Sequence, residues 1–250
     1  MLINNFKKTF ILYQGGIVLL TRIWKDWSMF EKIWLSSFTA INIYLFFAWQ
    51  DSLIGLVSSI TGMICVVLVA KGKISNYYFG IVQSATYAYI SYTYGLFGEA
   101  MLNGLCYFPL QFVGLYLWNK NKTTTSTKGE DVSIKRLNNK QWIQLSGIIV
   151  LSSVIYAYFL HSIGGQQVRI DSVAVVLSIV AQILMIKRFA EQWVLWILVN
   201  ILSIVLWAIT LITTDGNDWN MLVMWSAFLL NSIYGYINWI KMSKKQKELL

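Results

Sequence analysis

Eight apolar runs, each about long enough to cross a bilayer as a helix, dominate this chain. They fall at 33 to 49, 52 to 70, 76 to 95, 99 to 118, 142 to 161, 171 to 187, 192 to 213 and 219 to 240. A water-soluble domain could not cover that much apolar surface. The composition agrees, with 57% hydrophobic and only 12% charged residues and a mean hydropathy of +0.57. The expectation is an all-α integral membrane protein with eight transmembrane helices.

Charge sets the threading. With the N-terminus inside, nineteen of the twenty Lys and Arg residues fall on the cytoplasmic side and only Arg169 lies outside. Seven or nine spans would spoil this sorting. The outer loops then carry Asp51, Glu99, Asp171, Asp215 and Asp218, and both termini are cytoplasmic in a multi-pass protein of the plasma (inner) membrane. The same sorting accounts for the net charge of +9 without a nucleic-acid partner. Residues 6 to 31 mix Phe6, Ile11, Leu19 and Trp24 with Lys7, Lys8, Arg22 and Lys25, which predicts an amphipathic helix on the membrane surface. No small-residue cleavage site follows the first apolar stretch, so no removable signal peptide is expected. Cys65 and Cys106 lie inside apolar runs and read as packing residues.

The chain divides into seven parts. These are a peripheral N-terminal segment (1–31), an additional transmembrane helix (32–50), a three-helix unit (51–118), a flexible cytoplasmic linker (119–141), a central helix (142–162), a second three-helix unit (163–240) and a basic cytoplasmic tail (241–250). The linker reading rests on its Thr, Lys and Asn content and its lack of apolar periodicity. The two units echo each other. The basic turns at Lys71 and Lys187 lie 116 residues apart, and the closing Trp118 and Trp239 lie 121 apart. The central helix between them restores orientation, so the units are expected to be parallel repeats about an axis along the membrane normal.

Enzyme chemistry finds little footing. His161 is the sole histidine and sits at the end of a span, no Gly-rich phosphate loop is present, and no acidic residue lies deep in a span. No metal site or cofactor is expected. Asp171 opens its span as a helix cap. No filter motif or charged ring points to a channel.

What the spans do carry is polar and aromatic faces. Trp193, Trp196, Asn200, Ser203 and Trp207 recur at steps of three and four and share one helical face. Asn103, Tyr107, Gln111, Gly114 and Trp118 do the same, and Gln83 and Tyr87 share a face of the preceding span. A buried amide needs a partner, and two readings of Asn200 and of Gln111 are open: a hydrogen bond to a neighbouring helix, or a contact to a planar ligand stacked on the rings. Pro109, the only proline, is expected to kink its helix and free a carbonyl beside Gln111. Gly114 and Gly235 are expected to let helices approach closely.

These residues also carry a resemblance. Asn103, Tyr107, Pro109, Gln111, Gly114 and Trp118 match the N-x-x-x-Y-x-P-x-Q-x-x-G-x-x-x-W signature of the PnuC vitamin transporters, and Lys71, Gly72, Lys73, Asn76 and Gly80 match the block before it. In the second half Asp171, Ala181, Gln182, Lys187, Glu191, Trp193, Trp196, Val199 and Asn200 resemble the family's second block. Together the matches cover most of residues 52 to 240. The resemblance implies a three-plus-one-plus-three helix core related to the SWEET sugar transporters, preceded by the extra N-terminal helix, and a homotrimer. It implies uptake of nicotinamide riboside by facilitated diffusion, with trapping by a separate cytoplasmic kinase, so that the partners are a small vitamin or nucleoside substrate and the lipid bilayer. It also implies substrate contacts at Gln111, Trp193, Trp196 and Asn200, then at Asn103, Tyr107, Tyr87 and Trp207. The alternatives are another vitamin or nucleoside (thiamin, riboflavin, a deoxynucleoside), or a substrate-binding membrane subunit that does not transport alone. Two departures from the family pattern bear on this: Ala174 and Val175 stand where relatives carry threonines, and Asn231 and Ser232 stand where they carry small apolar residues.

Overall fold

The structure is a computed structural model that describes residues 27–49, 52–93, 100–123, 130–162, 168–214 and 219–249. Among these residues it is all-helical. In chain order the helices are α1 (Met29–Trp49), α2 (Leu53–Ala70), α3 (Asn76–Thr93), α4 (a π-helical turn Leu102–Tyr107 continued by α-helical Phe108–Lys120), α5 (Asn139–Ser162), α6 (Val168–Ile186), α7 (Gln192–Thr214) and α8 (Trp219–Glu248). The amphipathic helix expected before residue 27 lies outside the described residues. Asp171 lies inside α6 (Val168–Ile186), in helical conformation and not as the cap expected from sequence.

Only Leu53–Ala70 and Asn139–Phe159, at mean hydropathies of 2.5 and 1.6, are both long and apolar enough by themselves to cross a membrane among the described residues. Ser172–Ile186 of α6 and Gln192–Val205 of α7 are shorter apolar stretches. On α5 the outward surface is apolar almost throughout, with Ile143, Ile148, Val150, Leu151, Val154, Ile155 and Tyr158 exposed. In water such a face would be costly, and in lipid it is the ordinary outer surface.

Two αL turns organise one end of the bundle. Gly72 and Arg188 have φ of 66° and 65°. Each closes its helix in the same way: Gly72 N–H donates to Val69 O and Lys73 N–H to Leu68 O, while Arg188 N–H donates to Met185 O and Phe189 N–H to Leu184 O, all at 2.9 Å. These are Schellman closures, which satisfy the last helical carbonyls. All four donors and acceptors recur 116 residues on, so the echo in the sequence is an echo in hydrogen bonds.

Packing repeats as well. A Cβ on Gly114 would lie 2.2 Å from the Tyr77 ring, and one on Gly235 would lie 2.6 Å from the Trp193 ring. Each glycine therefore seats an aromatic side chain from the helix before it. Trp118 and Trp239, both wholly buried, close the core with Val69, Ala70, Tyr77, Met185, Trp193 and Met242.

The segment between the halves differs from the flexible linker that its composition suggests. Residues 130–138 of it form a clasp. Asp131 N–H donates to Gly72 O at 3.0 Å, and Lys135 N–H donates to Arg188 O at 2.8 Å, so both αL turns are held by one strand of chain. Val132 is fully buried beneath it. Gln246 on α8 accepts from Ile134 N–H at 2.8 Å and donates to Glu130 Oε1 at 2.9 Å. The basic tail expected from residue 241 thus continues as helix, with Met242, Ser243 and Gln246 buried. Polar composition misled here because backbone groups, which composition does not register, make most of the contacts.

Candidate functional site

The polar faces anticipated from helical spacing are turned inward, and the structure distinguishes among their members. On α4, Gln111 is 6% exposed and its Oε1 has no hydrogen-bond partner among the described residues. The side chain lies against Gly80 of α3, where a Cβ would come within 2.6 Å of that oxygen. Asn103 is buried and Tyr107 half-buried on the π-helical turn just before it. In place of a simple kink at Pro109, Phe108 N–H bonds to Asn103 O, five residues back, and the proline follows in the first turn of the regular helix. The wider π turn makes room for the proline ring and offsets Asn103 and Tyr107 from the Gln111 register. Tyr87 on α3 is half-buried and makes further interactions of its own.

On α7 the four candidates separate. Trp193 is 2% exposed, seated on Gly235 and edge-on to Trp239 at 6.1 Å. Trp196 is half-buried and packs both against the Trp118–Trp239 core and against a second cluster of Leu177, Ala181, Leu184, Leu195 and Val199. Asn200 is 3% exposed and donates from Nδ2 to Ser232 Oγ of α8 at 2.9 Å. The interhelical hydrogen bond that its position allowed is therefore present, and its partner, Ser232, is one of the four residues that depart from the family pattern. Trp207 belongs to α7, but its side chain lies outside the described residues.

Sequence reasoning passed over several buried amides. Gln192 is fully buried with neither amide atom partnered among the described residues, and Gln182 Nε2 and Asn231 Oδ1 are likewise unpartnered. Gln182 was visible as part of the second family block. Gln192 carried no signal beyond its place beside Trp193. Unpartnered buried polar atoms are unusual and mark places where water or a ligand completes the hydrogen bonding. Two cavities, of about 460 and 290 Å³, open at the clasp end of the bundle, and none of the eight candidate residues lines either.

This arrangement supplies uncharged amides and indole rings inside a helical bundle, suited to a planar, hydrogen-bonding solute. Known proteins point the same way. The family profile described as nicotinamide mononucleotide transporter matches residues 52–241. The chain belongs to this family. A nicotinamide riboside transporter PnuC of Neisseria mucosa is 43% identical over 95% of this chain and 93% of its own length. One from Haemophilus influenzae is 40% identical over 88% and 93%. A solved structure, the crystal structure of the vitamin B3 transporter PnuC, is 44% identical and superposes with a TM-score of 0.78 over 89% of this chain and 97% of that one. The family is one of membrane transporters built of several helices and not of enzymes. The matched region takes in α2 to α7 and most of α8, and with them every candidate residue.

Proposed function

We propose that this chain takes up nicotinamide riboside across the inner membrane by facilitated diffusion. Gln111, the buried amide with an unpartnered acceptor on the π-offset helix, carries the reading. It stands with Trp196 and Asn200 as primary contacts, with Asn103, Tyr107, Tyr87 and Trp207 as secondary ones. Trp193 has the same relation to Gly235 that Tyr77 has to Gly114, so its first role is to pack the repeat. In this reading the helices form a three-plus-one-plus-three core of SWEET type behind α1, with parallel repeats, cytoplasmic termini and a homotrimeric assembly. A separate kinase traps the solute by phosphorylating it.

The riboside is favoured over its mononucleotide by charge. The nicotinamide ring of the riboside is a cationic pyridinium, which the face of an indole attracts by about 0.5 to 2 kcal/mol. A phosphate would need cationic donors, and none of the eight candidates is charged. Relatives bear names for the riboside and for the mononucleotide family, and neutral site chemistry supports the former. The deciding measurement is uptake of labelled nicotinamide riboside into liposomes holding the purified protein alone. Saturable flux that the mononucleotide does not inhibit is expected. Flux for thiamin or riboflavin in its place would reassign the substrate, and binding without flux would make the chain a receptor subunit.

A further inference from the structure

The two αL turns are matched in backbone and differ in how their basic groups are paired, since Lys71 and Lys73 of the first meet Glu31 and Asp131. Beside Gly72 lies the cavity of about 460 Å³, whose charged lining is Lys122, Glu130 and Asp131, with Asp131 also 3.8 Å from Lys73. Beside Arg188 lies the cavity of about 290 Å³, lined by Lys135, Lys187 and Arg188 with Asn121, Leu117 and Phe189, and by no acidic residue among those described. The nearest acidic residue in sequence, Glu191, is already engaged: Arg136 Nε donates to it at 2.6 Å and Leu137 N–H at 3.0 Å. Arg188 is 4% exposed, and among the described residues its guanidinium finds a carbonyl, Asn121 O at 3.1 Å, but no carboxylate. Burial pulls its pKa below the ordinary guanidinium value.

Holding a non-glycine residue at φ of 65° strains its backbone, and the first half avoids that strain with Gly72. An arginine kept in that conformation, buried without a counter-charge, requires another explanation than turn formation. We propose that the Arg188 cavity binds a phosphate group, with the planar guanidinium giving paired N–H donors and Lys135 and Lys187 adding charge at the rim. The topology of the proposed transporter puts this site on the cytoplasmic side. Phosphate can reach it there as a free anion or as the headgroup of an anionic lipid.

The test uses the full-length protein in neutral detergent, titrated with inorganic phosphate against chloride at matched ionic strength. The unfolding temperature should rise saturably with phosphate. Arg188→Gly, which copies the relaxed turn of the first repeat and so should fold, should weaken phosphate binding about tenfold or more. A parallel series in nanodiscs with and without phosphatidylglycerol separates the sources: a lipid-occupied site gives anionic-lipid adducts in native mass spectrometry that Arg188→Gly loses. No phosphate or anionic-lipid effect beyond ionic strength, or an equal effect in Arg188→Gly, would overturn the proposal. Riboside uptake measured on the same preparations reports separately on the transport reading.

Discussion

Trp118 and Trp239 meet with ring centroids 6.0 Å apart, and each donates its indole N–H across to the other half of the molecule. Trp118 Nε1 donates to Met185 O at the end of α6, and Trp239 Nε1 donates to Val69 O at the end of α2. The two bonds are the same bond, made twice. Each indole adds a second donor to a carbonyl that already closes an αL turn, so the crossing residues and the turns form one unit at the clasp end.

Replacing either tryptophan by phenylalanine keeps most of the buried ring and removes one donor. Each single variant should lose about 1 to 2 kcal/mol of stability, and the pair should be non-additive by at least about 0.5 kcal/mol because the rings touch. Thermal unfolding of the four proteins in detergent, followed by near-ultraviolet circular dichroism, measures this. Simple additivity would mean the two halves do not depend on each other through these rings.

Gly114→Ala and Gly235→Ala should each destabilise by about 1 to 3 kcal/mol, since the new methyl meets the ring of Tyr77 or Trp193. At Gly147 on α5 an added Cβ would meet nothing within 4 Å, and Gly147→Ala should be neutral or stabilising by up to about 1 kcal/mol. Yield of monodisperse protein after heating ranks the three. A harmless Gly235→Ala would remove Trp193 from its structural role.

Glu31 is joined to Lys71 at 2.7 Å and to the Tyr234 hydroxyl at 2.8 Å, with the two charged side chains 2% and 7% exposed. It also closes a capping box with Ser28 at the start of α1. Glu31→Gln should cost about 3 to 5 kcal/mol because Lys71 is left buried without its counter-charge, and Lys71→Met combined with it should recover most of the loss. Chemical unfolding curves compare the single and double variants.

Asn200→Leu should abolish riboside binding while leaving folded protein. Ser232→Ala should alter affinity, since it releases the Asn200 amide from its interhelical bond. Tryptophan fluorescence quenching by the riboside reads both. Normal binding in Asn200→Leu would leave Asn200 as a tie between α7 and α8.

Gln111→Leu fills similar volume but removes the unpartnered acceptor, and should reduce uptake about tenfold or more without lowering stability. Gln83→Leu on the neighbouring helix, which packs against Gly62, serves as the comparison.

The sequence determined the helices, because apolar runs of fixed length and a periodic polar face are local properties. It determined the inner faces too: Gln111, Asn200, Asn103 and Trp193 are all buried as their spacing required. It also showed the 116-residue spacing of the two basic turns, which recurs in the hydrogen bonds that close them. Only the tertiary structure separated Trp193 from Trp196, which are equivalent by spacing: Trp193 is buried against Gly235, whereas Trp196 is half-buried. It decided that Pro109 is absorbed by a π turn, a choice of hydrogen-bond partner that no side chain announces. It turned a polar linker into a clasp, because backbone groups of residues 130–138 make most of the bonds that hold it, two of them to Gly72 and Arg188. And it set Arg188 in the conformation that glycine occupies in the other half, a relation between two distant turns that becomes visible only when both are folded.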